Sequence, residues 1–311
     1  MAKDEKAGRS DVIPAVMMGC LFVIVHGLAL LVTRPFETAG IEPAFENPND
    51  PINLVYFFLI IFIMTAVIII IAKYWKKELI QFIILGAVGY TAFYAFFLPI
   101  FIIAFPTIIA EIILIFAALA AVILVSILYK YPEWYVIDIS GIIVGTSAIV
   151  IFGMSLGVLL VIVLLIGLAI YDAISVYKTK HMIDLADTVM DLKLPVLLVI
   201  PKIRHYSLIK ETKTLKESLE DGQERDAFFM GLGDIVMPGI LVASVYNVEN
   251  GLPIALSVIV GTLVGFAILM TFVLKGKPQA GLPCLCGGAI LGYVISSLAI
   301  SGTLVGLTLP F

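Results

Sequence analysis

The stretch AFFMGLGDIVMPGILVASVY, Ala227 to Tyr246, decides how this chain is read. At about 1.5 Å per residue it is long enough to cross a bilayer as a helix, and Asp234 is its one charge. A charge near a bilayer centre costs roughly 3 kcal/mol or more, so an acid kept there reads as functional by default. A second apolar run, ending near Tyr177, holds another acid in Tyr171-Asp172. Two aspartates at matched depth in separate spans point to one chemistry above others, a dyad sharing a proton.

Composition sets the class. The chain of 311 residues is 61% hydrophobic and 14% charged, with a mean hydropathy of +1.13. Soluble domains carry about 25% charged residues, so this is a polytopic membrane protein. Its apolar runs suit helices, not alternating barrel strands. Met1 to Asp11 is mixed in charge and leads into an apolar run without a small-residue cleavage site, which reads as a retained first span. The three cysteines, Cys20, Cys284 and Cys286, lie in apolar segments without a histidine cluster. They read as buried free thiols, and no metal or cofactor is expected. His26 reads as a packed, hydrogen-bonded core residue, and Glu111 and Asp138 as interfacial or paired acids.

Apolar runs predict an all-α chain with spans at 12–33, 52–72, 79–101, 106–129, 136–152, 157–177, 227–246, 253–274 and 281–304. Pro99 and Pro106 divide a run too long for one helix, and 153–157 (Gly-Met-Ser-Leu-Gly) supplies another turn. Nine spans with the N-terminus inside and the C-terminus outside leave Arg34 alone on the outer side among 19 Lys and Arg. The first outer loop carries Glu37, Glu42, Glu46 and Asp50 instead. That is the positive-inside pattern. A wrong span count would scramble it.

The division that follows is a six-span part, 1–177, carrying Asp172, a charged inner loop, 178–226, and a three-span part, 227–311, carrying Asp234. Within the loop, 194–201 (LPVLLVIP) is apolar but too short to span. It reads either as a segment lying against the protein or as an edge strand able to pair with an extended substrate. Asp172 falls roughly 7–8 Å from the inner end of span six and Asp234 roughly 10 Å along span seven. Span nine opens at the same level with Gly281-Leu282-Pro283-Cys284-Leu285. Pro283 suits a first helical turn, where its missing N–H is no loss. Gly231 and Gly233 would let another backbone approach Asp234.

Tyr171-Asp172, Gly231-Leu232-Gly233-Asp234 and Pro283-Cys284-Leu285 together resemble the GxGD aspartyl intramembrane proteases, the presenilin and signal peptide peptidase family. The likeness covers essentially the whole chain and is nearest to the compact archaeal presenilin homologues. Cys284 departs from the family's alanine, but a thiol is still small and apolar. The resemblance implies catalysis by Asp172 and Asp234, with Tyr171, Gly231, Leu232, Gly233, Leu282, Pro283, Cys284 and Leu285 shaping the site. It also implies an integral protein of a prokaryotic plasma membrane with its active site toward the cytoplasm. Substrates would be single-span proteins with their N-terminus outside, cut within the membrane and unwound locally. The partners are thus transmembrane helices and the bilayer, not nucleic acid; a homo-oligomer is compatible with the sequence. The competing class is a proton or cation channel or transporter using the same acids, but a six-plus-three arrangement shows no repeat of the kind transporters carry.

Overall fold

Inside a bilayer, a helix satisfies its backbone N–H and C=O groups within its own segment, and the apolar runs fold accordingly. The computed structural model describes residues 2–74, 77–104, 109–179, 196–203, 206–209, 226–274 and 279–307. Their helices are α1 (Ala2–Thr38), α2 (Ile52–Tyr74), α3 (Lys77–Ala104), α4 (Ala110–Lys130), α5 (Trp134–Ser155), α6 (Val158–Ile174), α7 (Leu232–Tyr246), α8 (Gly251–Val273) and α9 (Gly281–Ser301). A wide π-helical turn, Ser175–Thr179, extends α6. Seven described helices are long and apolar enough to cross a membrane, and 52–68 and 232–246 are shorter apolar helices. The chain is therefore a mostly helical, multi-pass integral membrane protein.

Two short strands depart from the all-α expectation. β1 (Leu197–Pro201) and β2 (Ala227–Gly231) pair antiparallel, with Leu197 opposite Gly231 and Pro201 opposite Ala227. Backbone bonds extend the ladder at both ends, from Leu232 N–H to Val196 O (2.8 Å) and from Lys202 N–H to Asp226 O (2.7 Å). The predicted seventh span thus begins as a strand, and only Leu232 onward is helix. A continuous apolar run has no periodicity that separates a buried strand from a helix; the partner strand decides it. Most of the predicted 178–226 loop, including Leu194 and Pro195, lies outside the described residues.

β1 is wedged between β2 and α5. Leu198, Val199 and Ile200 are buried, and Val199 N–H donates to Asp138 Oδ1 on α5 at 2.8 Å. Asp138 is only 6% exposed, so it is a paired interior acid and does not snorkel to the interface.

The core centres on α7. Ile235, Ile240, Leu241, Val242, Ala243 and Val245 are fully buried, as befits a helix apolar all round. It packs against α5, α8, α1, α6 and α9. Many large apolar side chains of α2 and α4 are exposed instead, among them Phe62, Ile63, Ile115 and Phe116, as a lipid-facing surface requires. Small residues set the α8–α9 spacing: a Cβ at Gly261 would overlap the Gly288 carbonyl, and one at Gly265 the Cys284 carbonyl. Such close approach is the usual basis of helix association in membranes. α5 runs through the predicted turn to Ser155, and the break falls at Leu156-Gly157, where Gly157 N–H bonds Pro48 O at 2.8 Å.

Candidate active site

Asp172 sits two residues before the end of α6 and is 3% exposed. Its Oδ2 accepts the Leu282 N–H at 3.1 Å. That N–H belongs to the first turn of α9, where backbone donors have no intrahelical acceptor and the helix dipole favours negative charge. Pro283, next in line, has no donor to leave unpaired.

Asp234 lies in the first turn of α7, third from its start, because β2 ends at Gly231. It too carries its carboxylate at a helix N-terminus. A Cβ at Gly281 would lie 3.4 Å from Asp234 Oδ2, and one at Gly231 would lie 3.3 Å from the same oxygen. The dipeptide Gly281-Leu282 therefore touches both aspartates: the glycine flanks Asp234 while the next N–H holds Asp172. Both acids open into one cavity of about 170 Å³, walled by Met18, Phe228, Met230 and Met270. Of the larger clefts, those of about 750 Å³ between α3 and α4 and about 700 Å³ between α8 and α9 hold no pair of carboxylates, and one of about 510 Å³ holds Glu37 and Glu249 together with Arg34. At the cavity rim, Tyr177 Oη donates to Gln279 Oε1 at 2.7 Å, linking the π-turn to the segment before α9.

The other candidates divide. Gly231 lines the cavity. Gly233 is exposed, and a Cβ there would meet nothing within 4 Å, so no backbone packs against it in this state. Leu232 turns toward Gly141 and Gly145 of α5, and its N–H closes the sheet. Tyr171 is 58% exposed and is not part of the cavity wall. Pro283 and Cys284 line the α8–α9 cleft instead, and Leu285 is buried in the core. The cysteine therefore projects away from the carboxylates while its backbone is held against Gly265. Gly281, Phe228, Met230, Met18 and Met270 are wall residues that sequence reasoning did not single out. No local signal marks the methionines, whereas Gly281 stood at the start of the predicted ninth span.

Among the described residues no three His, Cys, Asp or Glu side chains converge as a metal site would require. Cys20, Cys284 and Cys286 are free, but only Cys286 is buried as expected; Cys284 is half-buried and Cys20 is exposed on α1. His26 is packed and hydrogen-bonded.

Residues 19–302 match the family described as signal-peptide peptidase, presenilin aspartyl protease. Two crystal structures of a presenilin family intramembrane aspartate protease, in C222 and P2 space groups, are similar throughout. The first shares 33% identity, covers 92% of this chain and 99% of its own, and has a TM-score of 0.67. The second also shares 33% identity, covers 92% and 98%, and has a TM-score of 0.66. No match was found among curated protein sequences. Two aspartates from neighbouring helices meeting beside a third, within a match spanning nearly the whole length, make this chain a member of the signal-peptide peptidase and presenilin family of aspartyl proteases.

Proposed function

We propose that Asp172 and Asp234 form the catalytic dyad of this intramembrane aspartyl endopeptidase. The observation that carries the reading is the shared contact at Gly281-Leu282, which joins both acids to one cavity. Two carboxylates in one small site do not both ionise readily, so the pair holds a single proton. The ionised aspartate takes a proton from water as the water oxygen attacks the scissile carbonyl carbon. The protonated aspartate donates to the carbonyl oxygen. Collapse of the tetrahedral intermediate breaks the C–N bond, and a proton returned by the dyad leaves with the amine. Which aspartate begins protonated belongs to the pair rather than to either residue.

The substrate class follows from the site's setting. A transmembrane helix engages its carbonyls i to i+4 and must open before water can attack. The backbone groups of Ala227, Phe229 and Gly231 alternate away from β1, because Leu198–Met230 and Ile200–Phe228 are the inward-bonded pairs of the register. β1 already has β2 on one edge and Asp138 on the other, which supports 197–201 as a strand packed into the protein rather than as the one that receives an extended substrate. Open space at Gly233 lets substrate backbone pass close to Asp234.

The proposed topology is nine spans, N-terminus inside and C-terminus outside, supported by the basic residues of the inner segments. It sets the dyad near the cytoplasmic face, between a six-span part (1–177) and a three-span part (227–311). The preferred substrates are then single-span proteins with an outer N-terminus, in a prokaryotic plasma membrane. Channel activity through the same acids is not favoured by the family or its structural relatives.

The test is turnover of a single-span substrate in liposomes. Asp172→Asn and Asp234→Asn should each lower kcat by about 10²–10⁴-fold, and the double variant should be no worse than either single, because the pair acts as a unit. Independent, multiplying losses contradict a dyad.

A further inference from the structure

We infer that His26, on α1, is a positioning residue for Asp234, acting through the carbonyl of Ile235; the inference rests on the dyad reading. His26 is fully buried, and its Nε2 lies 2.9 Å from Ile235 O, 209 residues away in sequence. A carbonyl oxygen only accepts, so Nε2 carries the hydrogen, and in the neutral ring Nδ1 is then a bare acceptor. Nδ1 is buried with no hydrogen-bond partner among the described residues. An unpaired buried acceptor is unfavourable. If this site served packing alone, Leu or Phe would fill it without that cost. The imidazole's distinct contribution is its Nε2–H.

The carbonyl it holds is in the turn that carries Asp234. Pro238 has no N–H, so the Asp234 carbonyl lacks its usual i+4 donor, and the proline ring crowds that same carbonyl. The first turn of α7 is therefore under-bonded where it must hold a carboxylate steady. His26 supplies a donor from another helix to the next carbonyl along. Gly239 makes room for it: a Cβ at 239 would overlap Ile149 and lie 3.0 Å from His26 Cδ2. On its other side the ring meets Phe22 edge-on, with centroids 5.9 Å apart. The α1 residues lining the aspartate cavity are Ala15 and Met18, so substrate does not touch His26.

A group that aims a catalytic side chain without touching substrate should change kcat and leave KM alone. The experiment uses the full chain in liposomes, a single-span substrate, and active sites counted with a hydroxyl-bearing mimic of the tetrahedral intermediate. His26→Leu should lower kcat per active site by about tenfold to a hundredfold, the cost of a misaimed catalytic group, with KM within about twofold. His26→Gln, whose amide N–H reaches the place of Nε2, should recover most of that loss. His26→Asn, whose amide reaches only the place of Nδ1, should not. This Gln–Asn contrast decides the matter if the leucine variant fails to fold. Full kcat in His26→Leu or equal kcat in Gln and Asn overturns the inference, as does a loss confined to KM or to the count of active sites. An Asp234→Asn control run alongside keeps the two readings apart: kcat near the wild-type value there sinks the dyad itself, whereas a control lowered by at least about a hundredfold beside a fully active His26→Leu sinks only the positioning role.

Discussion

At the residue scale, the site is built from two carboxylates and the backbone of one dipeptide. Gly281 leaves only van der Waals distance beside Asp234, so a branched side chain there must displace the carboxylate. Gly281→Val should abolish most turnover, whereas Cys284→Ala should leave kcat unchanged and stability within about 0.5 kcal/mol; side-by-side kinetics and thermal unfolding check both. The pH profile of kcat should be bell-shaped. It rises as one carboxyl of the pair ionises and falls as the other loses the proton it must donate. A sigmoid across the range contradicts proton sharing. Asp172 and Asp234 were legible in the sequence because a charge in an apolar span needs a reason to be there. Leu282, Pro283, Cys284 and Leu285 pointed to the right turn, and the contacts that reach the carboxylates there are those of Gly281 and the Leu282 N–H. Backbone donors leave no mark in a sequence. Nor does a bond such as His26 to Ile235, whose partners lie on helices far apart in the chain.

At the element scale, the β1–β2 sheet and the α8–α9 pair hold the site from two sides. Asp138→Leu strips the acceptor from Val199 N–H and leaves that donor buried, a loss of about 1–3 kcal/mol. Asp138→Asn keeps an acceptor and should cost less. Faster hydrogen exchange at Val199 in the leucine variant alone is the expected result. Because β1 sets the height of β2, the leucine variant should also blur the cut position. On the other side, Gly288→Val pushes α9 off α8, with an overpacking cost of about 1–3 kcal/mol. The Leu282 N–H then moves away from Asp172, and kcat should fall along with the melting temperature. The helices themselves could be read from apolar runs to within a few residues at most ends. Of the sheet, 194–201 was legible as a possible edge strand, but 227–231 was not, because those residues are apolar on both faces and only their pairing with 197–201 makes them a strand.

At the scale of the whole molecule, the proposed topology has the N-terminus on the same side as the basic loops and the C-terminus opposite. Single cysteines added at the two ends of a cysteine-free chain should be modified by a membrane-impermeant thiol reagent from opposite sides of the membrane. Labelling from one side removes the nine-span count. The charge asymmetry that carries this proposal is legible because each added span inverts the side of every later loop. The depth of the dyad was less so, since Asp234 stands at the start of its helix and not seven residues along. The most direct measurement of the central claim is mass spectrometry of the products from a single-span, N-outside substrate in liposomes, with the wild-type chain beside Asp172→Asn and Asp234→Asn. The account predicts cuts inside the substrate's membrane segment that vanish in both variants. Cuts that persist in either variant at a rate near that of the wild-type chain, or intact substrate with the folded wild-type chain, contradict it.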